Sequence, residues 1–208
     1  ALPIWNPVKL VDPDGREGVQ VINQKEKTIT IKASYYVRTT PLLGVKESAY
    51  NPSDVQTMQN DINAYLNSQN FTYDINGVQY TVNFDLCFSD AGDQESATLL
   101  AGEDIYCGFP IGNTLSKFAP SSYTYFFNTK DNGNGTISTN GGVTAYNNQI
   151  IMNARYDNTR RRIHEIFHTL FFNNDDASSG IGNYSPGTDM PNQADINQLL
   201  NNKKLPSV

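Results

Sequence analysis

The chain is poor in the residues that metal and redox chemistry usually draws on. Its 208 residues hold two histidines, two cysteines, three methionines and one tryptophan. Charged side chains make up only 17%, with a formal net charge of −6 and a pI near 4.8. An acidic chain with so few cations argues against nucleic acid or an anionic membrane as its main partner. No apolar run approaches the ~20 residues that a membrane-spanning helix requires. Cys87 and Cys107 lie outside any CxxC pair, which excludes the usual zinc–thiolate arrangement. No internal repeat and no dividing linker is visible. The opening ALPIWNPVKL is not a signal peptide, so the expectation is a leader removed by processing or lying outside this sequence.

What is present points to a folded domain. Hydrophobic residues reach 38%, with 12 Tyr and 10 Phe, well above the aromatic content of disordered chains. The length suits a single domain over 1–208 with a substantial core. Cys87 and Cys107 are expected to form a disulfide contributing ~3 kcal/mol. Together with the acidic, lysine-poor composition this suggests a secreted or cell-surface, extracytoplasmic monomer.

KTITIKASYYVRTT (27–40) alternates as a half-buried strand does. NPSD (51–54) starts a helix capped by Ser53 or Asp54, with Val55, Met58, Ile62, Tyr65 and Leu66 on one face. FTYDINGVQYTVNFDLCF reads as a hairpin around Asn76-Gly77. Residues 89–122 read as a long irregular stretch, and YTYFFN (123–128) and VTAYNNQIIMNA (143–154) as strands. DNGNGT (131–136) has the alternating oxygens of a calcium loop without its closing glutamate and is expected to be a solvated turn. A helix from Thr159 to about Phe172 carries Ile163, Ile166, Phe167, Leu170 and Phe171 as an apolar stripe, with Asp157, Asn158 or Thr159 as cap. PNQADINQLLNN supplies a closing helix. The order is α+β, not a βαβ alternation.

Both histidines fall in RRRIHEIFHTL (160–170). On a helix, positions i and i+4 differ by about 40° in azimuth and one turn in height. His164 and His168 can therefore aim two neutral imidazoles at one tetrahedral cation, for which zinc is the best match. Glu165 lies on the adjacent strip, placed to take a proton from a water on that ion during attack on a carbonyl. Arg160, Arg161 and Arg162 oppose the helix dipole and are expected to form a solvated face.

HEIFH after a strand and on a helix resembles the zincin metallopeptidases, and the resemblance extends to the metzincin branch over about residues 145–203. Metzincins continue the motif as HExxHxxGxxH or HExxHxxGxxD. Here Phe171 stands at the glycine and Asn174 at the third ligand. No glutamate follows Glu165, so the gluzincin ligand set does not apply. The resemblance implies an acidic third ligand, expected at Asp175 with Asp176 as the alternative. GTDM (187–190) comes near the aspzincin Gly-Thr-x-Asp element, with the aspartate one place early. GIGNYSPGTDMPNQADINQLL is similar to the metzincin Met-turn and closing helix. Pro191, Asp195 and Ile196 match the P-x-x-x-D-I segment, Met190 is the methionine nearest the turn, and Tyr184 resembles the tyrosine that some members place near the metal to stabilise an oxyanion.

The resemblance implies a zincin-like fold with a twisted mixed sheet, an active-site helix, an N-terminal sheet subdomain of about 1–172 and a small C-terminal subdomain of about 173–208. It implies a zinc-dependent endopeptidase in which His164, His168 and Asp175 hold zinc, Glu165 is the general base and Tyr184 assists. An extended protein or peptide substrate would pair with an edge strand within 143–154. Two alternatives are a zincin-fold binding module that has lost catalysis and a metal-dependent amidase.

Overall fold

The structure is a computed structural model and describes residues 17–42, 46–118, 129–131, 137–139, 142–145, 148–170, 180, 190–202 and 205–208. In chain order these form β1 (Val19–Asn23), β2 (Thr28–Arg38), α1 (Pro52–Ser68), β3 (Thr72–Ile75), β4 (Val78–Gly92) and α2 (Gln94–Glu103). There follow β5 (Ile105–Tyr106), β6 (Phe109–Pro110), β7 (Gly112–Phe118), β8 (Thr129–Asp131), β9 (Ile137–Thr139), β10 (Gly142–Ala145), β11 (Gln149–Asn153), α3 (Thr159–Thr169) and α4 (Gln193–Asn201).

The main sheet runs β10-β11-β7-β2-β4-β3, with β1 paired beside β2. Strands β11, β7, β2 and β4 are parallel. β10 and β3 are antiparallel to their neighbours at the two ends. This is an α+β architecture around a mixed sheet.

β2 organises it, because strict alternation sends Ile29, Ile31, Ala33, Tyr35 and Val37 to one face. That face meets α1 through Val55, Met58, Ile62 and Leu66, and α3 through Ile163, Ile166 and Phe167, in one hydrophobic core that also takes Ile196, Leu199 and Leu200 of α4. Each fully buried aliphatic or aromatic side chain contributes ~1.5–3 kcal/mol by leaving water. The opposite face carries Lys32, Ser34 and Tyr36 and is covered by α2 and the β5–β6 hairpin. Tyr36 donates to Asp104 at 2.9 Å, and Lys32 Nζ stands 5.5 Å from the Tyr106 ring centre.

The Asn76-Gly77 hairpin forms as expected: φ is +54° and +80° at the two turn residues, the paired left-handed geometry that asparagine and glycine tolerate. α1 starts two or three residues earlier than the sequence suggested, with Asn51 at the cap position in place of Ser53 or Asp54 and Pro52 in the first turn.

Other expectations are corrected. Residues 89–118 are not irregular; they contain the end of β4, then α2, β5, β6 and β7. The expected single strand at 143–154 is two antiparallel strands, since the chain turns near Asn148 between β10 and β11. The disulfide is absent: Cys87 lies on the outward side of β4 and Cys107 in the β5–β6 turn, both exposed and free. The Tyr36–Asp104 and Lys32–Tyr106 contacts hold that hairpin to the sheet without a sulfur link. The expected strand at 123–128 and residues 132–136 of DNGNGT lie outside the described residues. No described helix is long and apolar enough to cross a membrane.

Candidate metal centre

The helix bearing both histidines is fixed at each end. The Asn158 side chain accepts from Arg161 N at 3.1 Å and caps the first turn. At the other end Tyr35 Oη and Thr169 Oγ1 lie 2.9 Å apart in the core, tying the last turn to the central strand β2. Burial raises the Tyr35 pKa, which keeps the phenol neutral for that contact; the hydrogen bond with Thr169 acts weakly the other way. Between these anchors Phe167 is fully buried, its ring centre 6.0 Å from that of Phe84.

The arginine run preceding the histidines is not a solvated face. Arg162 makes a two-pronged pair with Asp157, Nε to Oδ1 and Nη2 to Oδ2, each 2.7 Å. Burial works against the Arg162 charge, and the hydrogen bonds and negative charge offered by Asp157 and Tyr50 together outweigh it, so its pKa is raised. Arg161 stands 5.7 Å from the Tyr156 ring centre. Lys117, at the end of β7 and 4.6 Å from the Tyr50 ring centre, has its pKa lowered mainly by burial. Asp157 thus supplies the negative charge that the first turn of α3 itself lacks.

On this framework the two imidazoles converge. His164 Nε2 and His168 Nε2 are 3.1 Å apart, with ring centres 4.7 Å apart and planes at 82°. Two ring nitrogens that close must share something positive between them, either a proton in a hydrogen bond or a cation. Two Zn–N bonds of ~2.0–2.1 Å at a tetrahedral angle would set their nitrogens ~3.3 Å apart. The observed separation fits that with a small opening of the rings. His164 is buried and His168 half-buried, which leaves the second ring facing the accessible side.

Glu165 is buried, and its carboxylate Oε2 accepts from Thr144 Oγ1 at 2.8 Å. The same hydroxyl lies 3.2 Å from the Glu165 backbone oxygen. Thr144 sits on β10, and the register Thr144–Ile150–Leu115–Val37 runs across the sheet on the face that packs against the helices. The other three members of that row are apolar core residues. Only at the edge does the row become polar, where it meets the Glu165 carboxylate. Sequence reasoning missed Thr144, since nothing in GGVTA announces a partner 21 residues away.

Of the sequence-predicted site residues, the structure brings together the imidazoles of His164 and His168 and holds the Glu165 carboxylate against Thr144. Asp175 and Tyr184 lie outside the described residues, as do Phe171, Asn174 and Asp176. Among the described residues no group of three or more His, Cys, Asp or Glu side chains could hold a metal. Met190 is half-buried and packs against the core. Asp195, matched above to the P-x-x-x-D-I segment, has a local task. Its Oδ2 accepts from Asn192 N at 2.8 Å while Asn192 Oδ1 accepts from Ala194 N at 2.8 Å, a capping box at the start of α4. Gly180 approaches this cap so closely, at φ +80°, that a Cβ there would collide with the Asp195 carboxylate. No family model, curated protein or solved structure matches this chain.

Proposed function

We propose that the protein is a zinc-dependent endopeptidase of zincin type. The observation that carries the reading is the convergence of His164 and His168 Nε2 at 3.1 Å beside a buried Glu165 carboxylate. His164 and His168 would be two protein ligands, and Asp175 is the proposed third. Zinc held there would act as a Lewis acid on a substrate carbonyl and lower the pKa of a water molecule toward ~7.

The remaining chemistry belongs to the chain itself. Glu165 accepts a proton from the attacking water and returns it to the leaving amine, a role that suits a buried carboxylate next in sequence to His164. Thr144 fixes one oxygen of the carboxylate. Tyr184 is proposed as a donor to the developing oxyanion. β10 pairs with β11 on one side only among the described residues, so an extended peptide can add to its other edge and pass in front of α3. The antiparallel edge strand beside the histidine helix is what supports a zincin-like arrangement. Export to an extracytoplasmic compartment rests on the acidic, lysine-poor composition alone, because the free cysteines give no sign of an oxidising environment.

The test is Glu165→Gln, which keeps shape and removes the base. The variant should retain zinc at the parent's stoichiometry and lose cleavage of a denatured protein by at least ~10³-fold, within the range that general acid–base catalysis supplies. Cleavage at the parent's rate would refute the assignment. Parent protein that spares peptides and hydrolyses glycan-linked amides would replace it with an amidase.

A further inference from the structure

α2 is built inside out. Its inward stripe is Ala97 and Ala101, both buried. Beneath them Gly112 of β7 lies so close that a Cβ would collide with the Ala101 backbone. The helix is pressed onto the sheet by small residues, while Leu99 and Leu100 face water at 61% and 39% exposure. The next element repeats the pattern, with Ile105 at 59% and Phe109 at 38%. Four of the five exposed large hydrophobic residues among those described fall within 99–109; the fifth is Val78. Burial favours the reverse arrangement, and contiguous apolar surface on a folded protein marks a contact site.

The charge around this patch is one-sided. Residues 89–116 contain Asp90, Asp93, Glu95, Glu103 and Asp104 and no Lys, Arg or His, so this stretch carries −5 of the chain's −6. A groove of about 670 Å³ runs along the outer side of α2 with Glu95 and Glu103 at its two ends and Leu99 between them. Glu95, Leu99 and Glu103 recur at i, i+4 and i+8, a single stripe about two turns long. All of this lies on the sheet face opposite α3, away from the histidine pair.

We infer that α2 and the β5–β6 hairpin form a docking surface for a basic amphipathic segment of another protein. Its large apolar side chains cover Leu99 and Ile105, and its flanking Lys or Arg residues pair with Glu95 and Glu103. Anchor and charge act together: the leucine contact holds the segment, and the acidic rim speeds its arrival and rejects acidic competitors.

The probe is a synthetic Lys/Leu amphipathic helix of about 18 residues, five turns long, measured by fluorescence anisotropy against the full chain. Its controls are the same residues scrambled to destroy the apolar stripe and a Glu/Leu counterpart. The parent should bind the Lys/Leu peptide at least tenfold tighter than either control, with affinity falling as salt rises. L99S/I105S should lose at least tenfold, and E95Q/E103Q should lose several-fold and flatten the salt dependence. L99S alone gives an independent reading should L99S/I105S fold poorly. Equal binding by parent, L99S/I105S and L99S would overturn the inference. So would a parent that is dimeric at micromolar concentration and made monomeric by L99S, because a second copy would then be the occupant.

Discussion

The two faces of the sheet follow opposite rules. On the α1/α3 side, large apolar residues point inward and polar ones outward, as Ile163, Ile166 and Phe167 against β2 illustrate. On the α2 side, alanine and glycine make the close contact, leucines face solvent, and polar residues are buried: Thr114 and Ser116 of β7 are both inaccessible. Ser116 is satisfied there, whereas Thr114 Oγ1 has no hydrogen-bond partner among the described residues. Ser116 Oγ donates to Ile150 O at 3.3 Å; in the row of Tyr35 on the opposite face, Asn113 Nδ2 donates to Glu17 O at 2.9 Å and to Ser34 O and Ile111 O at 3.2 Å each. One face is stabilised by area removed from water, the other by close backbone approach of small residues. The histidine pair sits on the first face, where a rigid core can hold two rings at a fixed separation.

The sharpest way to break this contrast is by truncation. Phe167→Ala, on the buried side of α3, should cost ~3–5 kcal/mol of stability, whereas Leu99→Ala on α2 should stay within about 0.5 kcal/mol of the parent. Urea unfolding of the two variants measures both. Comparable losses would mean that Leu99 is covered and that the contrast is misdrawn.

That same contrast explains what was legible in the sequence. α1, α3 and β2 follow the period of their elements, so Val55, Met58, Ile62 and Leu66, or Ile29 through Val37, announce them. Asn76-Gly77 announced its turn by a conformational need that few other pairs meet. The histidine pair was legible because i, i+4 on a helix fixes direction as well as distance. α2 and β7 were illegible because their inward residues are small or polar, and hydropathy has no purchase on them. The Arg162–Asp157 pair was missed because Asp157 precedes the helix and bends back to it, a geometry that helical spacing does not encode. Thr144 reaches Glu165 only because β10 folds back beside β11, which follows from a turn at Asn148 that looked like the middle of one strand.

A smaller effect should appear at the seam between edge strand and helix. Thr144→Val removes the donor to the Glu165 carboxylate, a charge-assisted bond worth ~1.5–3 kcal/mol, and should lower kcat about 10–100-fold on the proposed reading. KM and zinc content should stay near the parent's. Thr144→Ser, which restores the hydroxyl, should recover most of the rate. Equal losses in Val and Ser variants would show that Thr144 acts through packing and does not position the carboxylate.

The gentlest probe uses pH. α2 is capped by a carboxylate and α3 by an amide: Asp93 Oδ1 accepts from Ser96 N at 2.7 Å, while Asn158 does the same for Arg161 N. The backbone hydrogen bond from Ser96 lowers the Asp93 pKa. Its contribution is therefore complete above the unfolded carboxyl value near ~3.9 and is lost as pH falls through the lower folded value. Asn158 does not titrate. Amide hydrogen exchange, corrected for intrinsic rates, should show the first turn of α2 opening on acidification before the first turn of α3, and Asp93→Asn should remove the difference.

X-ray absorption at the zinc edge of protein loaded with one equivalent of the metal tests the centre itself. Two imidazole nitrogens at ~2.0–2.1 Å should be found in the parent, and one should be lost in each of His164→Ala and His168→Ala. Zinc that fails to bind, or that binds with no imidazole in its shell, would contradict the metal centre outright.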